Sequence, residues 1–159
     1  MKKSVGKQIA AVSILAVVAI LASIAYSHCQ IPCGIYDDEA RFGEIAEHIT
    51  TIEKSMKTIT ELSGQEKPNM NQIVRWVNNK DLHADELSEI VTYYFMAQRV
   101  KLPTEGDAKA QNEYVNKLTL LHQMLVYSMK AKQTTDLENV EKLKSLLNEF
   151  HKVYSSPSG

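Results

Sequence analysis

Cysteine is nearly missing from this chain: 159 residues hold two, Cys29 and Cys33. A disulfide-dense scaffold is therefore excluded, and one bridge at most can form. Glycine and proline are also scarce, six and four, while Leu, Ile, Lys and Glu are plentiful, a composition that suits an α-helical domain. There is no β-hairpin signal, no Gly-rich phosphate loop and no internal repeat. An excess of positive charge is lacking as well, with 18 basic against 19 acidic residues. Loss of residues 1–27 would take away Lys2, Lys3 and Lys7 but no acid, moving the net charge from −1 to about −4. That balance argues against nucleic acid and against an anionic membrane surface as partners. Finally, no Glu has a His three residues later. Di-iron bundles need Glu-x-x-His on two helices, so that chemistry is out.

What is present begins with a basic start at residues 2–7 and an uncharged, mostly apolar run from Ile9 to Ala25. Ala25-Tyr26-Ser27 puts small residues at −3 and −1 relative to His28, the pattern a signal peptidase accepts. Residues 1–27 are therefore read as a cleavable signal peptide, removed by signal peptidase or another maturation protease. The protein is expected to be exported, periplasmic or extracellular. The competing reading is an uncleaved membrane anchor, because the run is slightly long for a signal and slightly short for a span. A lipoprotein signal fits poorly, since His28 stands where a small residue would precede the cysteine. Cleavage leaves about 130 residues, enough for one domain with a continuous core.

From Asp37 onward the pattern is helical. Phe42, Ile45, Ile49, Ile52, Met56, Ile59 and Leu62 recur at spacings of three and four, with Asp37 or Asp38 as cap and Ser63-Gly64 as stop. Pro68 and Asn69 open a second helix carrying Ile73, Val74, Val77, Leu87, Ile90, Val91, Tyr94 and Phe95, with a bend expected at Asn78-Asn79 and Pro103 beyond its end. A third runs from Gly106 or Asp107 to Lys132 with Tyr114, Leu118, Leu121, Leu125 and Met129 as its stripe. Thr135-Asp136-Leu137-Glu138 reads as a capping box for a fourth, whose apolar face is Leu137, Val140, Leu143, Leu147, Phe150 and Tyr154. The residues from Ser155 on are expected to fray. Four amphipathic helices with short connections make an all-α fold, an antiparallel up-down four-helix bundle over 37–159.

The chemistry is concentrated between the apolar run and the first helix, in His28-Cys29-Gln30-Ile31-Pro32-Cys33-Gly34-Ile35-Tyr36. If cleavage falls before His28, an α-amino group joins the imidazole, the Cys29 amide and two thiolates in one short segment. A Cys29–Cys33 disulfide is the competing reading, and spacing alone does not separate the two. A bridge closing so short a loop restrains little of the unfolded chain, which tilts the reading towards metal ligands. Two thiolates with an amine and a deprotonated amide favour a square-planar d⁸ ion, Ni(II), with Cu(II) as competitor. Zinc would prefer four side-chain ligands in a tetrahedron. Pro32 and Gly34 shape a turn that brings Cys33 back towards Cys29. The other histidines, His48, His83, His122 and His151, stand one to a helix and read as surface or packing residues.

His-Cys-x-x-Pro-Cys-Gly-x-Tyr at a processed N-terminus resembles the nickel superoxide dismutase family, with His28, Cys29, Pro32, Cys33, Gly34 and Tyr36 meeting the pattern without a gap. The resemblance implies a homohexamer of four-helix bundles that converts superoxide to oxygen and hydrogen peroxide, with one nickel ion per subunit. It implies nickel ligands from the His28 amine and imidazole, the Cys29 amide and thiolate, and the Cys33 thiolate. Tyr36 would stand beside the open face, Glu44 would hold the axial imidazole, and Tyr94 would be a second pocket tyrosine. Two positions depart from the family: Gln30 where aspartate is common, and Asn79 or Lys80 where an inter-subunit arginine is often found. The alternative function is an exported, non-enzymatic helical protein whose hook forms a disulfide or simply captures metal.

Overall fold

The computed structural model describes residues 34–155, so the expectations for the signal segment, for residues 28–33 and for the last four residues lie outside it. The chain divides into two units, Met1–Ile35 and Tyr36–Gly159, and everything that follows on packing concerns the second. It is all-helical among the described residues, with four helices and no strand. These are α1 (Asp38–Ser63), α2 (Met70–Glu89, prolonged by a π-helical segment Ile90–Arg99), α3 (Ala108–Gln133) and α4 (Glu138–Ser155). None of them is long and apolar enough to cross a membrane.

Local sequence explains most boundaries. Asp37 caps α1, its Oδ1 accepting the Ala40 amide at 3.0 Å, while Asp38 and Glu39 place negative charge in the first turn. Gly64 ends the helix by donating to the Thr60 carbonyl at 3.1 Å. Asn69 caps α2 through Gln72 and Asp107 caps α3 through Ala110. The start of α4 differs from the expected capping box: Asp136, not Thr135, accepts the Glu138 amide, at 3.0 Å. A shorter Asx turn satisfies the same orphan donor from two residues away.

The predicted stripe of α1 is buried from Phe42 through Ile59. That of α3 is turned: Leu120, Leu121, Met124, Ser128 and Ala131 face inward, and Met129 is exposed. A serine can be buried here because its Oγ donates to the Ala84 carbonyl at 2.7 Å, and both small residues let α3 approach α2 closely. Helix α1 packs on α2 and α4, and α3 packs on the same two, so the four faces share one core.

Two features of α2 were not anticipated. The helix continues without a break through Asn78-Asn79, where Asn79 Nδ2 donates to the Ser55 hydroxyl at 3.1 Å. Beside it, Lys80 is buried at 2% exposure and donates to the carbonyls of Ala131 (2.7 Å) and Lys132 (2.5 Å) and to Asp81. A cation closes the C-terminus of α3, where the helix dipole favours one. Irregularity comes later, where Val100 donates to the Phe95 carbonyl five residues back, at 2.8 Å.

Candidate metal centre and the cluster beside Tyr36

Of the residues singled out from sequence, His28, Cys29 and Cys33 lie outside the described residues, as does Gln30. The segment that follows them is described from Gly34. Its φ of +76° is a backbone conformation that side chains rarely adopt, which accounts for glycine at that place in the motif.

Tyr36 is half-exposed, and three contacts hold it. The Arg99 guanidinium lies over its ring at 4.4 Å, the Tyr94 ring meets it edge-on at 5.9 Å, and its hydroxyl donates to Gln98 Oε1 at 3.4 Å. The structure thus brings Tyr36 and Tyr94 into contact. Tyr94 itself is buried, and its hydroxyl donates to Asp38 Oδ1 at 2.6 Å. It packs on Phe95, the middle of an aromatic cluster that includes Phe42, Phe150 and Tyr154.

Asp38 is the residue that sequence reasoning passed over. Read as a helix cap, it is instead the acceptor for three side chains. Besides Tyr94 it takes Arg99 in a two-pronged contact, Nε to Oδ1 at 2.8 Å and Nη2 to Oδ2 at 2.6 Å, and the Tyr154 hydroxyl at 2.8 Å. The only sequence signal was the doubled aspartate, since one cap needs one carboxylate and Asp37 supplies it. The π-helical turn makes the arrangement possible. In an α-helix, residues five apart point about 140° away from each other. With i to i+5 bonding Tyr94 and Arg99 come onto one face and reach the same carboxylate.

The electrostatics follow. The Arg99 hydrogen bonds, helped by the two phenols, hold the Asp38 carboxyl down at about 2 against the resistance of partial burial. Burial and the same carboxylate push the Tyr154 phenol up to about 12 and raise that of Tyr94 further. Both phenols therefore stay protonated at neutral pH and act as donors. Since the folded-state pKa of Asp38 is depressed, its contribution to stability is complete above the unfolded value near 3.8 and is lost as pH falls towards 2. Asp38→Asn is accordingly expected to melt below the wild-type protein at pH 5 to 7, by about 1–3 kcal/mol for the orphaned phenol and guanidinium. The gap should close between about pH 4 and 2. Thermal melts of both proteins across that range check it; a gap independent of pH would remove Asp38 ionisation as its source.

Glu44 lies on α1 with its carboxylate partly exposed, paired through Oε2 with Arg41 Nη1 at 2.5 Å. Arg41 also faces the Tyr94 ring at 5.3 Å. A cleft of about 290 Å³ adjoins the Asp38 cluster, with Arg99, Lys101, Lys109 and Lys117 around Tyr154. The four helical histidines are not all idle. His151 Nε2 meets Glu39 at 2.9 Å and its ring stacks on Phe42 at 4.2 Å. His48 and His83, read as separate surface or packing residues, are in direct contact across α1 and α2.

The family model described as nickel-containing superoxide dismutase matches residues 10–157, which takes in the whole His28–Tyr36 motif and all four helices. The chain belongs to the nickel-containing superoxide dismutase family. No curated protein and no solved structure matches it. Membership makes the protein a nickel-dependent oxidoreductase with superoxide as the substrate class, and the non-enzymatic alternative gives way.

Proposed function

We propose that the chain is an exported superoxide dismutase whose mature form begins at His28. In this reading residues 28–36 hold one nickel ion per subunit, 37–159 form an antiparallel up-down bundle, and six subunits assemble. What carries the reading is that family membership spans residues 10–157 and the unbroken run from His28 to Tyr36 lies within that match.

The donor set fits the ion. Two thiolates, from Cys29 and Cys33, are soft and strongly binding. Cleavage before His28 adds a primary amine, and the Cys29 amide adds a second nitrogen once deprotonated. Together with the His28 imidazole, such a set would suit a nickel ion better than a hard, oxygen-preferring cation. When bound, nickel supplies the one-electron change that oxidises superoxide to oxygen in one half-reaction and reduces it to hydrogen peroxide in the other.

The chain's own residues do the rest. Glu44, already paired with Arg41 through Oε2, is the carboxylate that would hold the His28 imidazole and fix its tautomer. Only Gly34 and Ile35 separate Cys33 from Tyr36, so the phenol is tethered close to the second thiol along the chain. Held by Arg99 and Tyr94, its half-exposed ring orders water and limits what approaches. Peroxide formation consumes two protons, and water ordered by the Tyr36 hydroxyl delivers them. Tyr94 is a positioning residue, because its own hydroxyl is committed to Asp38.

The deciding experiment is the mature terminus. Intact-mass measurement on protein from its native host is expected to show a chain starting at His28. A mature protein that keeps residues 9–25, or is trimmed past His28, lacks the amine and sinks the proposed ligand set.

A further inference from the structure

Three donor atoms from α1 and α2 converge on a point that involves no residue of the segment 28–36. His48 Nδ1 and His83 Nδ1 are 2.8 Å apart. Glu86, one helical turn beyond His83, places Oε2 at 3.2 Å from His83 Nδ1 and 3.4 Å from His48 Nδ1. Side-chain exposure rises from 12% at His48 through 25% at His83 to 41% at Glu86, so the cluster lies in the α1–α2 groove with one side open to water.

The geometry points to a second metal site, formed by His48, His83 and Glu86, that takes a divalent first-row cation of the zinc type. As a plain hydrogen bond the contact is incomplete. Two neutral imidazoles meeting through Nδ1 share one proton, one ring donating and the other accepting, while the carboxylate crowds both nitrogens. A divalent ion in place of that proton gives both lone pairs and the carboxylate a common partner. The triangle of donors has the size this requires. Edges of 2.8, 3.2 and 3.4 Å put each corner about 1.8 Å from the centre, and metal–ligand bonds of about 2.0–2.1 Å place an ion just off that plane.

Donor chemistry selects the class. Two imidazoles and one carboxylate suit zinc, with copper and nickel close behind, whereas magnesium and calcium prefer oxygen throughout. Three protein ligands leave a position for water on the exposed side, as in open zinc sites. Glu44 and Glu47, on the same helix as His48, add negative potential that favours a cation. Because the ligands come from both helices, a bound ion would clamp α1 to α2 and stabilise the folded chain by mass action.

The test uses nickel-loaded mature protein, so that the hook is already filled, incubated with Zn(II), desalted, and assayed for both metals by mass spectrometry. One zinc per chain is expected with nickel content unchanged, together with a higher melting temperature. His83→Gln and Glu86→Gln should each weaken zinc uptake at least about tenfold, while nickel content and helical circular dichroism stay at wild-type values. Glu86 is exposed enough that its substitution leaves folding intact even if a histidine change does not. Since thiolates also bind zinc, the titration is repeated on a chain carrying Cys29→Ser and Cys33→Ser, which should still take up zinc. No uptake by the nickel-loaded protein, uptake that survives both groove substitutions, or uptake lost with the cysteines alone would overturn the site.

Discussion

Cys29→Ser and Cys33→Ser are each expected to abolish dismutase activity while leaving the helical circular dichroism of the protein unchanged. Each removes a sulfur donor proposed to bind nickel directly. The loss should therefore go well beyond the roughly 10–100-fold typical of deleting an outer partner of a metal ligand. A hydroxyl is a poor substitute, because serine does not ionise near neutral pH and gives the ion a hard donor in place of a soft one. The fold should be indifferent, since the core among the described residues is assembled from the four helices, from Phe42 onward. His28→Gln makes the contrast. It keeps the terminal amine and removes only the imidazole, so nickel should stay bound while turnover falls sharply. Activity assays with metal analysis on all three variants separate the roles. Near-normal turnover in either serine variant would show that the cysteines are not the ligands.

Phe95→Ala should cause the largest loss of stability of any single substitution in the helical unit, about 3–5 kcal/mol. Phe95 is fully buried at the meeting point of Phe42 (4.9 Å), Phe150 (5.1 Å), Tyr94 (5.1 Å) and Tyr154 (5.6 Å), so its ring touches side chains from α1, α2 and α4. Removing it costs the transfer of the ring to water and leaves a cavity that four rigid rings cannot collapse to fill. The effect extends beyond the core. Phe95 sits in the π-helical segment next to Tyr94, whose hydroxyl helps to anchor Asp38, and Tyr94 supports Tyr36. The variant should consequently lose activity through a loosened Tyr36 even at temperatures where it remains folded. Urea unfolding gives the stability change from the midpoint, provided the slope is unchanged. A loss under about 1 kcal/mol would mean that the cluster repacks, contrary to the density seen around it.

How far the sequence could be read varies from helix to helix for identifiable reasons. Helix α1 was legible because its large apolar residues recur at three and four with no competing face, and the buried set matches that row. In α3 several faces carry a Leu, Met or Tyr, and the side turned inward is the one bearing Ser128 and Ala131, where α2 comes closest. Hydrophobicity alone ranks those two positions below Met129, which is exposed. Asp38 was legible only as one of two possible caps. Its real partners, Tyr94, Arg99 and Tyr154, are 56 to 116 residues away in the chain. The His48–His83 contact was hidden in the same way, at a separation of 35 residues, although His83-x-x-Glu86 already placed two donors on one turn of a helix.

The sequence by itself determined the helical class, the extents of the four helices to within a few residues, and the proposed nickel ligands. Each of these rests on short-range physics: helix periodicity and caps act over three or four residues, and the His28–Tyr36 donors are neighbours along the chain. Tertiary structure alone decided what distant residues do to one another. It turned α3 onto its small-residue face and spent the charge of Lys80 on the end of that helix. It let a π-helical turn aim Tyr94 and Arg99 at one carboxylate, and it set His48 against His83. Such pairings depend on how the helices are rotated and shifted against each other. That is fixed by the summed packing of the whole core, and no local pattern carries it.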